Sequence, residues 1–84
     1  NMAARRTLVT LYLSMNEAVL AQKEAQKLAQ LNPTDAATWR VIGAAALQNR
    51  NVTEANGAFQ RAVTHDENDW RSYLALGDTF SILK

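Results

Sequence analysis

Set against itself at an offset of 34 residues, the chain matches Leu8 with Ile42 and Leu76, Tyr12 with Ala46 and Phe80, Ala21 with Ala55, Trp39 with Tyr73, and Gly43 with Gly77. A fixed period of this length means one supersecondary unit copied along the chain. Each copy is too small to bury its own apolar face and is stable only against its neighbours. Two whole units and the opening of a third fit into 84 residues, with units at about 2–35, 36–69 and 70–84. A chain that stops where the third unit's first helix should end is expected to be a piece of a longer array.

Each unit reads as two helices. In the second, Thr34 and Asp35 offer side-chain oxygens to cap a helix start, and Trp39, Ile42, Gly43 and Ala46 then recur on one helical face, which predicts a helix over 36–48. Asn49-Arg50-Asn51 interrupts it with turn-forming residues, and Ala55, Phe59, Ala62 and Val63 carry a second helix over 52–65. The same logic predicts helices over 3–14 and 17–31 in the first unit, the latter stopped by Pro33, which has no N–H to donate and disfavours helix in the residue before it. Asn68 or Asp69 caps a fifth helix over 70–83. Gly43, Ala46, Ala55 and Ala62 are the small residues that let paired helices approach, and Trp39, Phe59, Tyr73 and Phe80 supply bulk between them.

Composition narrows the chemistry. The chain has no cysteine, which removes thiol catalysis, disulfides and thiolate metal sites and fits either a cytoplasmic or a bacterial periplasmic location. A formal net charge of +1 lacks the basic excess by which proteins grip phosphate backbones, so no nucleic-acid partner is expected. The apolar runs 8–13 and 41–47 fall far short of the roughly 20 residues a membrane-spanning helix needs, so no membrane insertion is expected either. Arg5-Arg6 before the run 7–13 imitates the start of a signal peptide, and is read here as helix.

The pattern resembles the tetratricopeptide repeat, a 34-residue helix-turn-helix whose signature spaces Trp, Leu, Gly, Tyr, Ala, Phe, Ala and Pro. The second unit carries Trp39, Ile42, Gly43, Ala46, Ala55, Phe59 and Ala62 in register, the first Leu8, Tyr12, Ala21 and Pro33, and the third Tyr73, Leu76, Gly77 and Phe80. Departures from the signature are Arg5 for the first unit's aromatic, Val9 for its glycine, Ala25 and Leu28 for its later aromatic and alanine, and Glu67 for the second unit's proline. The resemblance implies an all-α fold of about five helices in antiparallel pairs, stacked as a right-handed α-α superhelix.

It also implies a function: a protein-interaction scaffold, part of a longer protein of an assembly or secretion system, whose first helices line a concave groove for a partner peptide or helix. Carried over by register, the groove positions are Arg6, Thr10 and Leu13, then Arg40, Ala44, Leu47 and Gln48, then Arg71, Leu74 and Asp78. Three arginines beside aliphatic side chains suit a segment bearing carboxylates and apolar groups, although arginine on a solvated helix face is commonplace. The clamp by which some family members hold the C-terminal carboxylate of heat-shock chaperones is broken here. Arg6 and Arg71 stand at basic clamp positions, but Thr10 and Val41 replace the asparagines and Ala75 the last basic residue.

No catalytic constellation competes with this reading, and no enzyme activity, cofactor or metal is expected. His65 is the only histidine, followed by Asp66, Glu67 and Asp69, and suits a helix C-terminus before a capping segment better than a metal or acid–base site. Gly43, Gly57 and Gly77 lie within helices and form no phosphate loop. Trp39 belongs to the packing, and Trp70 is expected to pack on the preceding loop. The alternative is a self-assembling module: the third unit's apolar face at Leu76, Phe80 and Leu83 lacks a second helix and invites a homo-oligomer through the end of the solenoid.

Overall fold

The computed structural model describes residues 2–83, and these form five α-helices with no strand among them: α1 (Met2–Ser14), α2 (Ala18–Leu31), α3 (Ala36–Gln48), α4 (Val52–His65) and α5 (Trp70–Leu83). Each helix packs on the next, and α1 also touches α3. The expected boundaries hold except that α1 starts one residue earlier, at Met2, and α2 one residue later, at Ala18, with Glu17 left as its cap residue.

The connections repeat as closely as the helices do. Asn16 and Arg50, 34 residues apart, both take left-handed backbone, with φ of 60° and 64°. Around them Glu17 N donates to Tyr12 O at 2.9 Å and Asn51 N to Ala46 O at 2.8 Å, while Asn16 N reaches Leu13 O and Arg50 N reaches Leu47 O at 3.1 and 3.0 Å. Both are Schellman closures, which satisfy the last carbonyls of a helix and turn the chain sharply back. Asparagine tolerates that conformation, whereas a long side chain such as Arg50 holds it under strain. In the other connection, Asn32 N–Leu28 O and Asp35 N–Asn32 O recur as Asp66 N–Ala62 O and Asp69 N–Asp66 O. Glu67 supplies no proline there, and the turn is held instead by Asn68 N donating to Asp66 Oδ1 at 3.0 Å.

The core runs as two clusters built largely of small residues. Val9, Ala21, Ala25, Leu28, Ile42, Ala45 and Ala58 form the first, between α1, α2, α3 and α4, and Ala46, Ala55, Phe59 and Leu76 form the second, between α3, α4 and α5. The tightest point is Gly43 against Phe59, where a Cβ on residue 43 would lie 2.7 Å from ring carbons. At the corresponding positions of the first pair stand Val9 and Ala25, both fully buried. The bulk has moved from the second helix to the first, so two departures from the repeat signature compensate each other in volume.

Buried polar groups tie the layers. Gln22 of α2 donates to Glu54 Oε2 at 2.8 Å and accepts from Asn49 and Asn51 at 2.6 and 3.2 Å, fastening α2 to the α3–α4 turn. Asn56 of α4 donates to Thr79 Oγ1 at 2.7 Å and accepts from Gln60 at 2.6 Å, fastening α4 to α5.

Three sequence expectations change. Asp35 stands at the cap position of α3 without bonding a backbone N–H there; its carboxylate takes the Thr38 hydroxyl at 2.8 Å. Tyr73 and Phe80, expected to fill space between helices, are 51% and 58% exposed, with no helix among the described residues covering that side of α5. Leu76, expected on the open end, is instead buried against Ala46, Ala55 and Phe59.

The glycines give a sign test. Gly57 is exposed and a Cβ there meets nothing within 4 Å, so Gly57→Ala is expected to stabilise the fold by about 1 kcal/mol through helix propensity alone. Gly43→Ala gains the same propensity but must displace the buried Phe59 ring, and is expected to destabilise by about 1–2 kcal/mol. Urea unfolding of the two variants checks this, and a stabilising Gly43→Ala would show that the α3–α4 spacing is slack.

Candidate functional site

An open groove of about 320 Å³ lies between α1 and α3, lined by Ala3, Arg6, Thr7, Thr10, Ala37, Arg40 and Val41. These helices run side by side in the same direction. Arg6 near the start of α1 meets Asp35 at the start of α3, and Gln48 near the end of α3 donates to Leu13 O near the end of α1 at 2.9 Å. The groove walls are themselves related by the repeat: Ala3, Arg6 and Thr7 stand 34 residues before Ala37, Arg40 and Val41.

Both arginines of the lining are ion-paired, and the two pairs are also 34 residues apart. Arg40 donates to Asp69 Oδ2 at 3.1 Å, and the looser pair Arg6–Asp35 spans 3.7 Å. Each links a first helix to the residue that opens the next unit's first helix. Asp69 is the more completely built of the two carboxylates. Its Oδ1 accepts from Ser72 N at 3.3 Å, capping α5, and its Oδ2 accepts from the Ser72 hydroxyl at 2.8 Å as well as from Arg40. Burial pushes the Asp69 carboxyl up, but the hydrogen bonds from Ser72 and the Arg40 guanidinium outweigh it and hold the group below the usual carboxylate value. Arg6 is held less firmly, and its Nε is buried with no hydrogen-bond partner among the described residues.

Of the residues carried over as groove positions, the structure brings Arg6, Thr10 and Arg40 together on this surface. Ala44 is half-buried farther along α3. Leu13 and Leu47 pack against the first and second core clusters, and Gln48 is exposed but engaged by Leu13 O and Asn16. On α5, Leu74 and Asp78 are exposed, and the Arg71 guanidinium lies 5.4 Å over the Trp70 ring. Trp70 is 62% exposed. Ala3, Thr7, Ala37 and Val41 line the groove without being among the positions carried over by register, and Asp35 and Asp69 pair with arginines besides standing at helix starts. The signal for both was present in the 34-residue spacing of each set.

A second depression of about 280 Å³ shares no residue with the groove and is lined by Trp39, Ile42, Glu54, Gly57, Ala58 and Arg61. Its Trp39 ring is fixed by an Nε1 bond to Pro33 O at 2.6 Å and covered by the Arg61 guanidinium at 4.6 Å. His65 is exposed at the end of α4, and no group of three or more metal-binding side chains gathers among the described residues. No helix among them is long and apolar enough to cross a membrane. No protein-family model matches the chain, and no curated protein matches it.

The Asp69 carboxyl, depressed in the folded state, contributes stability that is complete above the ordinary carboxylate value and is lost as pH falls through the lower folded one. Asp69→Asn is therefore expected to cost about 1–3 kcal/mol near pH 7 and progressively less toward pH 2, where the wild-type group is itself protonated. Thermal melts at pH 7, 5, 3 and 2 read the difference, and a gap that stays constant across that range would remove Asp69 from the acid response.

Proposed function

We propose that the chain is a tetratricopeptide-type interaction module that holds a segment of a partner protein along the groove between α1 and α3. The observation that carries this reading is the translation of an entire local arrangement by 34 residues: the helix-closing turns, the Arg–Asp pairs, the hydroxyl on each aspartate and both walls of the groove. A unit repeated at that level of detail supports stacking of helix pairs in the right-handed sense of that family, and such stacking leaves successive first helices side by side as a continuous surface. Binding at this surface requires no catalytic group.

The groove's chemistry defines the partner. Its floor is small and apolar at Ala3, Ala37 and Val41, its wall carries two hydroxyls at Thr7 and Thr10, and its cations are Arg6 and Arg40. Arg40 is committed to Asp69 inside the chain, whereas Arg6 sits 3.7 Å from its carboxylate with its side chain 35% exposed. Arg6 is thus the group with capacity for a further acceptor, and the segment that fits best presents one carboxylate beside small aliphatic side chains.

Selection of displayed peptides on the 84-residue chain tests this directly. Enrichment of sequences pairing Asp or Glu with Ala, Val or Leu is expected, and Thr10→Trp, which fills the groove from an exposed position, is expected to weaken binding about tenfold or more without shifting the melting temperature. Selected peptides indifferent to Thr10→Trp would move the binding surface away from the α1–α3 groove.

A further inference from the structure

The depression between α3 and α4 is bounded by two opposite charges that do not meet. Glu54, Gly57, Ala58 and Arg61 of α4 line it with Trp39 and Ile42 of α3, around a volume of about 280 Å³. The α4 positions stand at i, i+3, i+4 and i+7, one side of a helix, so Glu54 and Arg61 lie two turns, about 10 Å, apart with the two small residues between them. Among the described residues Arg61 has no ion pair or hydrogen bond, and Glu54 uses only Oε2, toward Gln22. Both charges are nevertheless held in place. The Arg61 guanidinium lies 4.6 Å over the Trp39 ring, which Pro33 O fixes through Nε1. Gln22, itself buried and gripped by Asn49 and Asn51, donates to the Glu54 carboxylate at 2.8 Å. All six lining residues come from the middle helix pair, which α2 and α5 flank.

We infer that this depression receives a helix of a partner protein running antiparallel to α4, with an apolar side chain in the depression, an acidic residue against Arg61 and a basic one against Glu54. A carboxylate on Arg61 adds charge-assisted hydrogen bonds to a guanidinium already positioned by stacking, and charges held in advance lose little freedom on binding. Helices crossing at the common angle of about 20° keep register over two turns, so the partner's charges also stand seven residues apart. The antiparallel sense places its acidic residue nearer its own N-terminus and its basic residue nearer its C-terminus, the order that its helix dipole favours. A second copy of α4 brings charges of the right sign across a two-fold axis, but only Gly57 and Ala58 between them, which leaves the depression unfilled and its lining without contacts. The partner is therefore a different helix with a larger apolar residue at the centre. The depression shares no residue with the α1–α3 groove, and this surface stands or falls independently of peptide binding there.

Titration of the isotope-labelled 84-residue chain with alanine-based helical peptides tests it, read by NMR at the Trp39 indole N–H and the Gly57 amide. The first peptide carries Glu, Leu three and four residues later, and Lys seven residues after the Glu; the second exchanges Glu and Lys. The first is expected to shift both signals and to bind about fivefold more tightly than the second. Arg61→Glu, at an exposed position, is expected to weaken the first peptide by a similar factor, and a peptide with Lys at both charged positions to recover that loss in the variant. Gly57→Leu, which fills the depression, is expected to weaken the first peptide about tenfold while the circular dichroism spectrum stays helical. Peptides that move neither signal, bind equally in either charge order, or ignore Arg61→Glu and Gly57→Leu would overturn the proposal. So would a chain whose mass in sedimentation equilibrium doubles without peptide and returns to 9.3 kDa in Arg61→Glu, since the occupant is then a second copy.

Discussion

The seat of Phe59 on Gly43 sets the spacing of α3 and α4, and much of the remaining structure follows from that spacing. Helices this close can be lined only by small side chains, and the core is accordingly mostly alanine: Ala21, Ala25, Ala45, Ala46, Ala55 and Ala62 are fully buried. Alanine buries little apolar area per residue, so an 84-residue fold without disulfides cannot rest on hydrophobic burial as a larger domain does. The buried polar side chains Gln22, Thr38, Asn56, Asp69, Ser72 and Thr79 fill that role, every one of them hydrogen-bonded. The first helix pair places its bulk the opposite way, with Val9 on the first helix and Ala25 on the second, both fully buried.

The Arg–Asp pairs make the fold and the groove one problem. Each arginine crosses from a first helix to the start of the next unit, and of the two that give the groove its positive character Arg6 links its α1 wall to the start of α3, while Arg40 ties the α3 wall to the start of α5. Arg40 is locked in that role by a carboxylate that is itself buried and bonded to Ser72, while Arg6 is only loosely engaged. Under the proposed function, a ligand carboxylate would meet a surface whose charges are already balanced in pairs. Affinity in such a groove comes mainly from shape and small apolar contacts, with charge setting orientation.

The helices were legible because their signals are local. Caps, turn residues and 3.6-residue periodicity act within a few positions, and the boundaries of α3, α4 and α5 follow from them residue by residue. What depended on distant neighbours was less legible. Leu76 reads as part of an open stripe until the position of Phe59 is known, and Tyr73 and Phe80 read as core because their counterparts Trp39 and Ala46 have α4 beside them. The aspartates illustrate the same division: the cap positions of Asp35 and Asp69 are visible in the sequence, though only Asp69 bonds a backbone N–H there, whereas their arginines lie 29 residues away, a separation that carries meaning only once the repeat is used as a ruler.

The tie between α4 and α5 has a consequence for the chemical ageing of the protein. Asn56 is followed by Gly57, the dipeptide in which the backbone nitrogen most readily attacks the side-chain amide to form a succinimide and lose ammonia. That ring closure needs a free amide group and a non-helical backbone. Asn56 offers neither, because α4 holds the main chain while Thr79 and Gln60 hold both ends of the amide. The reaction can proceed only when α4 lets go of α5 and locally unwinds. Each deamidated Asn56 is thus a permanent record of one such opening, and the pair acts as a covalent counter of motions that leave no other trace.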